Sequence, residues 1–178
     1  MSGVKPDRPQ TLEGASALLA SAEAERRKTL TPRERRARTV ARLAAVQALY
    51  QLEFGGEGVD TVVQEFSDHR FESDLEGQPL GEADEAYFGE IVRGVVAQQA
   101  EIDRRIAARL SDGWKLERID STARAILRAG AWELAFSRNT PVEVVIDEYV
   151  ELAKSFFATA DIKFVNAALD GVARDVRA

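Results

Sequence analysis

From Asp84 to Leu110 the apolar residues Tyr87, Phe88, Ile91, Val95, Ile102, Ile106 and Leu110 recur at spacings of three and four. That is the period of one helix face, and no alternating apolar and polar run long enough for a half-buried strand occurs in the chain. A chain patterned this way buries its apolar residues only by packing helix on helix, so the fold class is all-α. Thr31-Pro32-Arg33-Glu34 has the form of a capping box, with Thr31 as N-cap and Pro32 in the first helical position. The helix that starts there should reach Phe54, where Gly55-Gly56-Glu57-Gly58 stops it. Further helices are expected over Val59 to about Phe71 and Asp84 to about Leu110, the latter with a candidate break at Gln98-Gln99. Three more should run from a cap at Asp120 or Ser121 to about Ser137, from Pro141 to about Phe156, and from about Asp161 to Val176. About seven helices result, with no repeat at a fixed period. Residues 1–30, rich in Ala, Ser, Glu, Arg and Pro, read as a disordered N-terminal tail ahead of a helical domain over 31–178.

Much chemistry is excluded by composition. The 178 residues include no cysteine and a single histidine, His69, which removes thiol nucleophiles, disulfides and multi-histidine metal sites. There is no Gly-x-Ser-x-Gly elbow, no phosphate-binding Gly-Lys-Ser/Thr loop and no Glu-x-x-His pair. Asp147, Glu148 and Glu151 cluster on one expected helix, but Lys154 lies three residues beyond Glu151, which reads as an ordinary helical charge pair. His69, beside Asp68 at a polar helix end, reads as a surface residue. No cofactor, metal or catalytic residue is expected. No stretch approaches the roughly 20 apolar residues of a membrane span, and residues 1–30 lack the apolar core of a signal peptide. The expectation is a cytoplasmic protein without a membrane partner.

Charge is distributed unevenly. The net charge is −6, yet residues 26–42 carry eight basic groups (Arg26, Arg27, Lys28, Arg33, Arg35, Arg36, Arg38, Arg42) against the single acid Glu34. Residues 43–178 carry 14 basic and 25 acidic groups. An acidic body with a basic arm points to a polyanionic partner. At 100° per residue, Arg35, Arg38 and Arg42 fall within a sector of about 60°, and Val40, Leu43, Ala44, Gln47 and Phe54 gather opposite. The first ordered helix should therefore turn an arginine stripe outward from a buried seam. Arginine brings a planar fork for phosphate oxygens and a flat face for unpaired bases, which suits single-stranded RNA.

The segment Arg38-Thr-Val-Ala-Arg42-Leu-Ala-Ala-Val-Gln47-Ala48-Leu49-Tyr50 resembles the arginine-rich first helix of the bacterial transcription antitermination factor NusB family. Further segments agree in order: Tyr87-Phe88, Val92-Arg93-Gly94-Val95, Trp114-Lys115-Leu116-Glu117-Arg118 and Arg124-Ala-Ile-Leu-Arg128. The strongest follow, Val144-Val-Ile-Asp-Glu148 with Glu151-Leu-Ala-Lys154-Ser-Phe156 and Lys163-Phe164-Val165-Asn166, so the resemblance spans about residues 33–177. It implies two three-helix bundles and a non-enzymatic factor. It also implies binding of boxA-type RNA from ribosomal RNA leaders, jointly with the small-subunit ribosomal protein acting as NusE, within the RNA polymerase antitermination complex. Carried to matching positions, Arg38 and Arg42 would contact RNA, Lys163 and Phe164 would extend that surface, and Tyr50 and Glu117 would face the protein partner. Tyr50 and Phe164 also have a core reading from helical register. Thr39 stands where the family usually places a second arginine, and the upstream arginines offer a shifted contact set. The alternative implied by the same likeness is a domain related to the N-terminal RNA-binding domain of ribosomal-RNA cytosine methyltransferases.

Overall fold

The computed structural model describes residues 12–28, 30–70 and 82–177. Eight α-helices occur among them: α1 (Leu12–Lys28), α2 (Pro32–Phe54), α3 (Val59–Glu65), α4 (Glu85–Ala97), α5 (Gln99–Ala107), α6 (Ser121–Phe136), α7 (Val142–Lys154) and α8 (Thr159–Val176). A π-helical turn, Phe66–Arg70, extends α3, and a 3-10 turn, Leu116–Arg118, precedes α6. No strand occurs among the described residues. None of these helices is long and apolar enough to cross a membrane. The polar loop expected after α3 falls largely at 71–81, and the start of the expected tail at 1–11; both lie outside the described residues.

Where a tail without structure is expected, Leu12–Lys28 is helical. The segment is rich in Ala, Leu and Glu, whose intrinsic helix propensity is high, although it has few large apolar residues to signal a buried face. It belongs to one compact unit, Met1–Thr31, and all later helices to a second, Pro32–Ala178.

Within the second unit α2, α3 and α4 pack together, as do α6, α7 and α8, and α6 also packs on α2 and α4 and so joins the two groups. This central place explains why α6 is buried nearly all round, from Ala123 through Leu134. Asp120 caps it, its carboxylate accepting from the Thr122 and Ala123 amides at 2.9 and 3.2 Å. At the other end Arg177 donates to the carbonyls of Leu134 and Thr140 at 2.9 and 2.6 Å and to those of Glu133 and Ser137 at 3.1 and 3.0 Å. One side chain thus supplies partners for acceptors that a helix C-terminus leaves open. The helix break read at Gln98-Gln99 is present: Gln98, at φ −113° and ψ 18°, separates α4 from α5. Helices α4 and α6 approach so closely that a Cβ on Gly94 would stand 2.2 Å from the Trp132 ring.

The buried seam of α2 differs from the expected one. It consists of Ala37, Ala41, Ala44, Ala45, Ala48 and Leu49, with Val46 and Arg42 beside them. Small side chains let α2 lie close against α4 and α6, and the larger Val40 and Leu43 line a groove shared with Val144 and Leu152 of α7. Phe54, expected inside, is 62% exposed.

Candidate nucleic-acid interface

Rotating the seam toward the alanines brings one edge of the arginine stripe with it. The three arginines consequently differ in environment along α2. Arg35 and its neighbour Arg36 are exposed, and neither is paired with a carboxylate among the described residues. Arg38 is half-buried, with its guanidinium carbon 4.7 Å from the Tyr87 ring centre and its Nε 3.8 Å from Asp84. Arg42 is buried, and the outward position expected for it is corrected: its Nε and Nη2 donate to the two oxygens of Glu133 at 2.9 and 3.0 Å. The reason is angular. Arg42 lies next to Ala41 and Ala45 on the packed side, where a fully buried carboxylate of α6 meets it.

Glu133 is the residue that reading the sequence missed. It sits within the apolar run Ala131-Trp132-Glu133-Leu134, and an acid in such a run was the available signal. Besides Arg42 it accepts a hydrogen bond from the Tyr87 hydroxyl. Burial opposes the charge of Arg42, but the hydrogen bonds and charge of Glu133 outweigh it and hold the guanidinium above its ordinary range. Burial, reinforced by the Glu133 charge, pushes the Tyr87 hydroxyl up, and does the same more strongly to Tyr149. Both guanidinium groups lie over the Tyr87 ring, the Arg42 carbon being 5.3 Å from its centre. A buried charge network therefore supports the stacked face on which Arg38 rests.

Two further contacts fix the start of this helix. Asp84 caps α4 by accepting from the Tyr87 amide at 3.0 Å, and its own amide donates to the Ala37 carbonyl at 3.0 Å. Thr39, the departure from the family pattern, donates to Glu148 of α7 at 2.9 Å. A hydroxyl there ties α2 to α7. The side chains of Arg26, Arg27 and Lys28 lie outside the described ones. Arg33 is exposed and paired with Glu82.

The other nominated residues lie on the surface. Lys163 is exposed on α8, and Phe164 is partly buried, packed on the core with its ring 6.1 Å from that of Trp114. Tyr50 is 45% exposed and tilted against Phe54 at 5.0 Å, so its core reading does not hold. Glu117 is exposed on the 3-10 turn, which Arg124 holds by donating to the Leu116 and Ile119 carbonyls at 3.2 and 2.8 Å. Arg124 also pairs with Glu53 of α2, anchoring the turn to the helix that carries Tyr50. His69 is exposed, and Lys154 pairs with Glu151 at 2.9 Å.

Fold and site together define a helical adaptor: an acidic body that turns free and stacked arginines outward at one end of α2, and an aromatic pair at the other. The chain belongs to the NusB family, which residues 39–174 match. It is 59% identical over 140 residues to transcription antitermination protein NusB of Caulobacter vibrioides, covering 79% of this chain and 94% of that protein. Among solved structures it is similar to T. maritima NusB, with TM-score 0.65 and 32% identity over 83% of this chain and 94% of that one. It is also similar to a chain in the structure of antitermination factors NusB and NusE in complex with dsRNA, with TM-score 0.64 and 25% identity over 77% of this chain and 96% of that one.

Proposed function

We propose that the protein is a non-enzymatic, RNA-binding transcription antitermination factor acting in the cytoplasm. It takes boxA-type single-stranded RNA of ribosomal RNA leaders together with a NusE-type small-subunit ribosomal protein, and within the RNA polymerase antitermination complex it promotes read-through. The observation that carries this reading is the environment of α2: Arg35 and Arg36 are exposed with no carboxylate partner among the described residues and Arg38 is held on the Tyr87 face, on a body whose net charge is otherwise negative. Phosphate contacts fall to Arg35, Arg36 and Arg38, with Lys163 and Phe164 extending the surface. Arg42 acts one step removed, through Glu133 and Tyr87. Tyr50 and Glu117 belong to the protein-partner face, where an apolar anchor beside an acid suits a basic ribosomal protein. The names of the relatives and the NusB–NusE–RNA complex support the same assignment.

Filter binding of a boxA-type oligonucleotide across a salt series tests it. Three single-strand phosphate contacts give a slope of log K against log salt of about −2, from roughly −0.7 per contact. Arg35→Ala with Arg38→Ala should flatten that slope while the far-UV helix signal stays constant. A slope near zero in the unsubstituted protein refutes the reading.

A further inference from the structure

Trp114 is the largest side chain left open to solvent, at 59% exposure. It is presented by a built turn: Gly113 has φ of +86°, a conformation that favours glycine, and the Trp114 amide donates to the Ser111 carbonyl at 3.0 Å. Its ring does not fold back into the core but lies against Phe164 of α8, the planes inclined by 36°. Lys115 follows Trp114 and Lys163 precedes Phe164; both lysines are exposed, and neither is paired with a carboxylate among the described residues. Two adjoining aromatic rings, each with a free ammonium beside it in sequence, repeat one chemical unit from two distant segments.

We propose that Trp114 and Phe164 form a stacking platform for unpaired RNA bases, with Lys115 and Lys163 meeting the phosphates on either side. At 59% exposure the indole is accessible to an approaching base. Every base offers a π-face to such a ring, and stacking is favourable irrespective of base identity. The two lysines favour a phosphate backbone as the occupant beside the rings. The platform rests on the RNA-binding reading given above, which already places Lys163 and Phe164 on the RNA surface, and extends that surface to Trp114 and Lys115 in the loop before α6.

The chain has two tryptophans, and the other, Trp132, is buried. In a Trp132→Phe background the emission of Trp114 is therefore read alone. Titration with boxA-type single-stranded RNA should quench it, while anisotropy of a dye-labelled copy of the RNA reports binding independently. Trp114→Ala should weaken RNA binding by about 5- to 150-fold, the range for loss of one stacked base, and Trp114→Phe should restore most of it. The platform is refuted if RNA binds in an Arg35- and Arg38-dependent manner while Trp114 emission and the affinity of Trp114→Ala both stay unchanged; the RNA-binding reading then survives alone. Absence of any RNA binding removes both. Quenching by the NusE-type ribosomal protein in the absence of RNA assigns the rings to a protein interface and overturns the platform.

Discussion

Replacing Arg42 with alanine separates its two roles. As an RNA contact its loss would lower affinity and leave the fold intact; as the partner of Glu133 its loss should do the reverse. The Arg42 side chain is 4% exposed and that of Glu133 0%. Removing one member of such a pair strands the other in the interior at a cost of roughly 3–5 kcal/mol, because the Tyr87 hydroxyl alone cannot neutralise a carboxylate. For a domain of this size 1 kcal/mol moves the melting temperature by about 2–4 °C, so Arg42→Ala should melt roughly 6–20 °C lower. Arg35→Ala, in solvent, should melt within about 2 °C of the parent and lose RNA affinity. The combined variant Arg42→Met, Glu133→Leu and Tyr87→Phe removes the three side chains that hydrogen-bond one another and should recover much of the lost stability, since apolar replacement of a buried network is often neutral. The assay is calorimetric melting beside filter binding at a temperature well below every transition. The reasoning is refuted if Arg42→Ala melts like the parent while binding RNA as poorly as Arg35→Ala.

Burial and the Glu133 charge raise the Tyr87 and Tyr149 hydroxyls, so the stability gained by keeping them neutral is complete below about pH 10 and declines as pH rises from there through their folded values. The urea midpoint should hold from pH 7 to about 9.5 and fall above it; phenolate absorbance from both residues at about pH 10 in a chain that keeps its helix signal would contradict this. Gly94→Ala drives a methyl into the Trp132 ring and should cost roughly 1–3 kcal/mol or more, whereas Gly171→Ala meets only the aliphatic stem of Arg109 and should cost less; equal denaturation midpoints would refute the contrast. Tyr50→Ala and Glu117→Lys, both at exposed positions, should lower affinity for the NusE-type partner while binding to RNA alone and the melting temperature change little; unchanged partner affinity removes these residues from the interface.

The helix boundaries were legible because they depend on local chemistry. Pro32 opens α2, Gly55 follows its last residue, Asp120 caps α6 and Gln98 interrupts the α4–α5 segment, and each of these signals sits at the place it acts. The buried face of α2 was harder to read. Periodicity ranks positions by apolar size, and on that measure Val40, Leu43 and Phe54 outweigh a row of alanines; close helix approach favours the alanines, whose contribution is the absence of bulk. Once the seam is displaced, Arg42 passes from surface to interior, and only its long-range partner shows why that is tolerated. Glu133 lies 91 residues away, a distance that no window of periodicity spans. The family likeness located the arginine helix, Tyr50 and Glu117, but likeness reports that a position is shared and leaves open whether it is shared for packing or for contact.

Pairing within the body explains why most of its arginines do not compete for RNA. Arg128 is bidentate on Asp103, Arg109 binds Asp175, Arg174 binds Asp170, and Arg104 and Arg105 both close on Glu101. Each pair cancels a positive charge locally, and the surplus of acids in residues 43–178 leaves the remaining field negative. A polyanion approaching the body is repelled except where exposed cations have no carboxylate partner among the described residues: Arg35 and Arg36 on α2, Lys115 and Lys163 beside the Trp114 and Phe164 rings, and Arg118 and Arg138. Repulsion elsewhere thus helps fix where an RNA can lie, and the same negative surface favours encounter with a basic ribosomal protein. Adding positive charge at random should then raise overall RNA affinity at the expense of this discrimination. Asp147→Lys, on an exposed position of α7 outside the proposed contact set, is the case to measure: its affinity for unrelated single-stranded RNA should rise more than its affinity for boxA-type RNA, and a proportional rise in both would show that the acidic body has no part in selecting the binding face.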